Sequence, residues 1–243
     1  SDVCSSDLVI QFRPRTEGLF AKILRYRDGP QDFWMVCSKD GLVSIYGMPR
    51  PQNAGRDWQD TSVIQDPRHK SRIFTWKLTE TRDPFGNRIV YEYEQSGASF
   101  GQTSSDLHLK RIQYVDHETG HSGQNFLVSI DFELQDRPDP FSTYRPGFEI
   151  RTWKRCSRIA IHTHPNRQTK LLKNYDLIYL DQRSDLEDLT DQLPLNRSSL
   201  LNQVVVKGHD GMETEALPPL QFAYSTFQPC ERDFFPVDRK STR

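Results

Sequence analysis

The strongest constraint on this chain is the period of its apolar residues. They alternate with polar ones in short runs closed off by Gly, Pro, Asn and Asp, the pattern of half-buried β-strands joined by tight turns. Asp32 to Cys37 and Leu42 to Tyr46 flank Ser38-Lys-Asp-Gly41, whose Asp-Gly pair supplies the positive backbone angles of a tight hairpin. A second hairpin joins Arg72 to Glu80 with Arg88 to Glu94 through Asp83-Pro-Phe-Gly-Asn87. In its return strand Ile89, Tyr91 and Tyr93 share one face, while Val90, Glu92 and Glu94 take the other. Further runs begin at Leu19, Leu109, Phe126, Phe148, Arg158, Tyr175, Gln203 and Leu220, for about a dozen strands in all. Helix is nearly absent. The best candidate, Asp185 to Leu201, is interrupted by Pro194, which costs about 3 kcal/mol inside a helix, so a turn or two is all it allows. Gly47 to Asp66, Ser96 to Ser105 and Gln135 to Pro146 read as long, mobile loops. The expected fold class is therefore all-β, built of antiparallel hairpins and meanders with little helix and no internal boundary.

Composition narrows the function classes. The 243 residues suffice for a sizeable core, and 35% apolar residues with 27 aromatics suit a folded, polar, loop-rich protein. Lys plus Arg (32) nearly cancels Asp plus Glu (33), so no whole-molecule field draws the chain to nucleic acid. No apolar run approaches the roughly 20 residues of a spanning helix, so no membrane insertion by this segment is expected. Ser1 to Leu8 lacks the basic and apolar regions of a secretory leader. That stretch reads as the translation of a sequencing adaptor, and Asp238 to Arg243 as its complement in another frame. The division expected is 1-8 and 238-243 as artefact, and 9-237 as an internal fragment of a longer chain. Within it Cys37, Cys156 and Cys230 are an odd set without a Cys-x-x-Cys pair, which suits buried free thiols better than a disulfide framework or zinc ribbon.

Several constellations invite chemistry and have a plainer explanation. Gly97-Ala-Ser99-Phe-Gly101 matches the nucleophile elbow of serine hydrolases, but the helix that should follow Ser99 is replaced by Gln102-Thr-Ser-Ser-Asp106. His162-Thr-His164 puts two imidazoles on one strand face, a spacing usable by zinc or copper, yet also that of a solvated strand end before Pro165. His108, His117, His121 and His209 are scattered. Asp181, Asp185, Glu187, Asp188 and Asp191 lack the glycine and terminal glutamate of an EF-hand. Arg151, Lys154, Arg155 and Arg158, with Trp153 and Phe148, form a basic cluster better matched to Glu149 and Asp176 or an acidic partner than to nucleic acid. Glu92-Tyr-Glu94 resembles the paired glutamates of ADP-ribosyltransferases, but Ser142-Thr143-Tyr144 lies downstream of them, where those enzymes have their Ser-Thr-Ser strand upstream. Accordingly no catalytic residue, cofactor or metal ligand is assigned, and the segment is expected not to be an enzyme.

Four strings read together carry a family resemblance. They are Trp34-Met-Val-Cys-Ser-Lys-Asp-Gly-Leu-Val-Ser-Ile-Tyr-Gly47, the run from Trp76 to Tyr93, Arg145-Pro-Gly-Phe-Glu-Ile-Arg-Thr-Trp-Lys-Arg-Cys156, and Leu217-Pro-Pro-Leu-Gln-Phe-Ala-Tyr224. In that order they resemble the N-terminal region shared by the Salmonella plasmid virulence protein B family and the B component of bacterial insecticidal toxin complexes, with hairpins similar to RHS repeats. The resemblance implies a segment of a β-sheet shell that encloses a cytotoxic cargo, made in the bacterial cytoplasm and secreted. It implies as partners the rest of its own B-type chain, a C component with the enclosed toxin, and an A-component pore reached through a β-propeller that would follow Val237. The Salmonella relatives' transferase domain would also lie beyond this sequence. The alternatives are a serine hydrolase fragment using Ser99, and a surface RHS-type, carbohydrate-binding adhesin in which Trp58, Trp153 and Tyr144 stack on sugar rings.

Overall fold

The computed structural model describes residues 8–225, except 17, 19, 30, 56, 96–105, 119–123, 184–192, 195 and 212. The chain is all-β. Its strands are β1 (Leu8–Phe12), β2 (Lys22–Asp28), β3 (Gln31–Cys37), β4 (Val43–Tyr46), β5 (Val63–Gln65), β6 (Ile73–Trp76), β7 (Leu78–Arg82) and β8 (Arg88–Gln95). They continue with β9 (Leu107–Glu118), β10 (Gln124–Thr143), β11 (Ile150–Thr163), β12 (Lys170–Tyr179), β13 (Leu201–Asp210), β14 (Glu213–Ala216) and β15 (Leu220–Gln221). Two 3-10 turns, Pro165–Arg167 and Leu180–Gln182, are the helical content among the described residues. Much of 185–201 lies outside those residues.

Thirteen strands form one antiparallel sheet, in the order β1-β2-β3-β4-β7-β8-β9-β10-β11-β12-β13-β14, with β15 also on β13. Strands β5 and β6 pair separately. Leu8 of β1 stands opposite Arg27 in the register. Both hairpins expected from the sequence form. Gly41 takes φ 84° while the Ser38 and Gly41 amides donate across the β3–β4 turn. In the β7–β8 turn the Asp83 carboxylate accepts the Phe85 and Asn87 amides and the Asn87 side chain. That last bond leads in holding the Asp83 pKa below its ordinary value.

Three elements differ from the sequence reading. The run Arg72 to Glu80 is two strands in different sheets: Trp76 stands opposite Val63 of β5, and Leu78 opposite Tyr46 of β4. The chain changes partner at Lys77, whose amide donates to Ser62 and whose carbonyl accepts from Gly47. Second, the expected loop Gln135 to Pro146 is largely the end of β10. Asp136 pairs with Lys154 and Phe141 with Thr152, so residues 137–140 bulge from the ladder, where Pro138 and Pro140 need no amide partner. Third, the two runs beginning at Phe148 and Arg158 are the single strand β11. The segment Gly47 to Asp66 contains β5, and Ser96 to Ser105 falls outside the described residues.

Packing is thin for so large a sheet. Among the described residues the buried hydrophobics are Phe33, Val63, Ile64, Leu107, Ile150, Ala160 and Leu180. Ile64 of β5 packs on Leu107 and Ile150 of the main sheet, with Tyr93 and Phe148 alongside, so the small hairpin caps one part of one face. The Tyr93 hydroxyl donates to the Leu78 carbonyl, and burial, with the neighbouring Tyr91, pushes its pKa up to about 12. Near β1, Trp34 and Trp76 meet edge to face and both lie against the Arg25 guanidinium, itself clamped by Asp32. Packing in regular strands is thus the fate of these two tryptophans.

Candidate functional site

The most organised chemistry lies on one face of β8 to β13. Alternation along β10 brings Ser129, Asp131 and Glu133 to the same side, and the register sets Ser129 opposite His162 and Glu133 opposite Arg158. Continuing outward, Arg158 stands opposite Asp176 of β12, and Asn174 opposite Lys207 of β13. Asp131 is the hub on one side. It accepts from Arg111 of β9 and from Ser129, at 3.2 Å for the latter, and lies 3.0 Å from His162 Nδ1. Burial alone would raise its pKa; the bonds from Arg111, His162 and Ser129 outweigh that and lower it. Asp176 is the second hub, with Arg158 at 2.6 Å and Lys207 at 2.9 Å, again a carboxylate lowered against its burial. Arg158 also reaches Glu133 at 3.5 Å, which links β10 to β13 in one chain of ion pairs.

Beneath these long side chains the floor of the face is sealed. Ser129, Ala160 and Asn174 are at most 3% exposed. His164 Nε2 lies 2.9 Å from the Ser129 hydroxyl and its Nδ1 3.2 Å from Thr169, while His209 Nε2 lies 2.6 Å from the Asn174 side chain. The serine–histidine contact resembles a nucleophile and its base, but a hydroxyl buried to 2% has no space for a carbonyl to approach it. What the arrangement does is satisfy polar groups across five strands and fix their register.

The sequence candidates fall around this face. His162 and His164 are brought together on it, as their spacing implied. Among the described residues no group of three or more His, Cys, Asp and Glu is placed to hold a metal. Ser99 lies outside the described residues, as do Asp185, Glu187, Asp188, Asp191 and Cys230. Cys37 and Cys156 are free thiols, half-buried, and burial raises the pKa of Cys156. Glu92 lies 4.0 Å from Arg111 and Glu94 3.8 Å from Lys110, whereas Ser142 donates to Glu149, so the paired glutamates and that serine are not joined. The basic cluster divides. Arg151 stacks on Trp153, Lys154 pairs with Asp136, and Arg155 makes a two-pronged bond to Asp181 while lying over Tyr179. Of the aromatics considered for sugars, Tyr144 is exposed and Trp58 borders a cleft.

The Ser129–Asp131–His162 cluster was missed in the sequence, although its signal is there: polar residues at alternate positions inside the apolar run from Phe126 to Leu134. Which of them meet depends on register, which one strand does not encode.

Comparison with known proteins gives a consistent picture. The family model described as Salmonella virulence plasmid 65kDa B protein matches residues 3–133 and 129–164. Mono(ADP-ribosyl)transferase SpvB of Salmonella typhimurium is 24% identical over 195 residues, 64% of this chain and 31% of the relative. The chain thus spans about a third of the curated relatives' length. Among solved structures, TcdB2-TccC3 superposes with a TM-score of 0.69 at 22% identity, covering 91% of this chain and 12% of that one. The N-terminal domain of the effector SpvB from Salmonella typhimurium superposes at 0.60 and 18% identity, covering 89% and 69%. One expectation is corrected by these relatives. The chain was read as non-enzymatic, and the curated proteins that it matches are named as enzymes. The ion-paired glutamates of one β-segment describe that segment alone, so the non-enzymatic assignment does not stand.

Proposed function

The chain belongs to the Salmonella virulence plasmid 65kDa B protein family, and from that premise we propose that it is a wall segment of a toxin-complex B-like virulence protein. The wall is part of a β-shell that encloses a cytotoxic cargo for delivery to target cells, in a protein that is secreted. Its partners in this reading are the rest of its own chain, a C-type component of the kind TccC3 is to TcdB2, the enclosed toxin, and a pore component. No helix of the described residues is long and apolar enough to cross a membrane.

The observation that carries the reading is the proportion of sheet to core. Thirteen strands in one sheet with seven buried hydrophobics among the described residues make an extended surface of the kind a wall needs. The ion-pair network stiffens one face, which suits a wall wetted on that side. The test is cargo protection. The full-length parent protein, co-expressed with a C-type partner, is expected to shield the cargo from added protease. Deleting β12 and β13 should open it to digestion. Equal digestion with and without those strands would overturn the proposal.

A further inference from the structure

A cleft of about 230 Å3 lies between the β2–β3 turn and the small β5–β6 hairpin. Its walls include Trp58, Gln59, Arg27, Lys70 and Ser71, with the carboxylates of Asp32 and Asp60 behind them. The loop that carries Trp58 is stitched down. Asp60 accepts the Met48 and Ser62 amides at 2.7 Å each, and Arg50 holds the Ala54 and Gly55 carbonyls at 3.1 and 3.0 Å. A cleft fixed in this way loses little freedom when something enters it.

The sign of the charge that it would accept follows from which of its groups are spare. Both carboxylates are occupied: Asp32 by the two-pronged bond from Arg25, Asp60 by the amides just named and the Ser62 hydroxyl. The cations are held more loosely. Arg27 pairs with Asp32 at 3.7 Å with its side chain 56% exposed, and Lys70 is exposed at the tip of the hairpin, between Arg68 and an Arg72 that lies 3.8 Å from Asp66. Among the described residues the side chains of Trp58, Gln59, Lys70 and Ser71 have no hydrogen-bond or ion-pair partner. Elsewhere in the sheet, Arg88, Arg111, Arg155, Arg158 and Lys207 are all committed to carboxylates.

We propose that this cleft binds an acidic sugar. The apolar face of the ring stacks on the Trp58 indole, Arg27 and Lys70 hold its carboxylate or phosphate, and Gln59 and Ser71 bond to its hydroxyls. The proposal is independent of the shell reading, since a wall segment binds or ignores sugars without changing how it encloses a cargo.

The test is ligand-observed saturation-transfer NMR on the full chain with glucuronate, glucose 6-phosphate, glucose and inorganic phosphate. Transfer to ring protons is expected for one or both acidic sugars, and which of them responds identifies carboxylate or phosphate as the acid. Glucose should bind at least about tenfold more weakly, a difference of about 1.4 kcal/mol. Lys70→Ala should erase that preference, Trp58→Ala should abolish transfer, and Trp58→Phe, which keeps a ring with less disturbance of the loop, should retain it. Equal binding of glucose and the acids would overturn the proposal. So would inorganic phosphate displacing no sugar acid, persistence of transfer in a folded Trp58→Ala, or silence from every sugar.

Discussion

Single residues decide how closely the small hairpin sits on the main sheet, and Gly47 is the tightest point. Its φ of 82° is a conformation that side chains rarely adopt, and an added Cβ would lie 2.9 Å from Trp76 and 3.2 Å from the Phe33 side chain. It would also crowd Asp60 at 3.1 Å, the carboxylate that pins the Trp58 loop. Gly47→Ala is therefore expected to destabilise the chain by about 1–3 kcal/mol. A urea midpoint indistinguishable from that of the parent would show that Trp76 and Asp60 can retreat without loss.

At the scale of elements, the bulge at 137–140 shows how a proline-rich stretch becomes part of a sheet. Asp139 accepts a two-pronged bond from Arg137, and both the amide and the hydroxyl of Ser199. Ser199 in turn accepts from Arg155, which holds Asp181, so the bulge, β11 and the 3-10 turn at Leu180–Gln182 form one network. Burial would raise the pKa of Asp139, but the bonds from Arg137 and Ser199 hold it well below the usual carboxylate range. A carboxylate lowered in the folded state stabilises it above the unfolded pKa of about 4, and that contribution is lost as pH falls from there towards the folded value. Asp139→Asn should thus lower the thermal midpoint at pH 7, and the gap to the parent should narrow progressively between about pH 4 and pH 2. A gap constant over that window would show that Asp139 does not carry the contribution. The same stretch marks a limit of reading the sequence. The strands were legible because alternation and the Asp-Gly pair are local signals. The bulge was not, since Pro138 and Pro140 read as a loop until Ser199, 60 positions from Asp139, supplies what holds them. The break at Lys77 was hidden for a related reason: the alternation of β6 runs on into β7, and only their different partners separate them. In the polar face, Ser129, Asp131, His162 and His164 were each visible, but only the β10–β11 register joins them.

Taken whole, the sheet ends in two unlike margins. β1 presents Val9, Ile10 and Phe12, each about 40% exposed, while β14 is an exposed Glu-Thr-Glu-Ala run. An apolar margin with unpaired backbone groups is a template for further strands, and a margin carrying two glutamates is a poor one. The isolated chain should accordingly self-associate through β1, and Ile10→Lys should raise the monomer fraction in size-exclusion chromatography. A monodisperse parent, or an Ile10→Lys profile that does not change, would count against it. The strand order has a consequence for synthesis. Apart from β4–β7 and β13–β15, every hydrogen-bonded neighbour is also the neighbour in sequence, and the β5–β6 detour is itself a local pair. As the chain leaves the ribosome, nearly every new strand finds its partner already made as the strand before it, so the wall can be laid down in order without waiting for its far end.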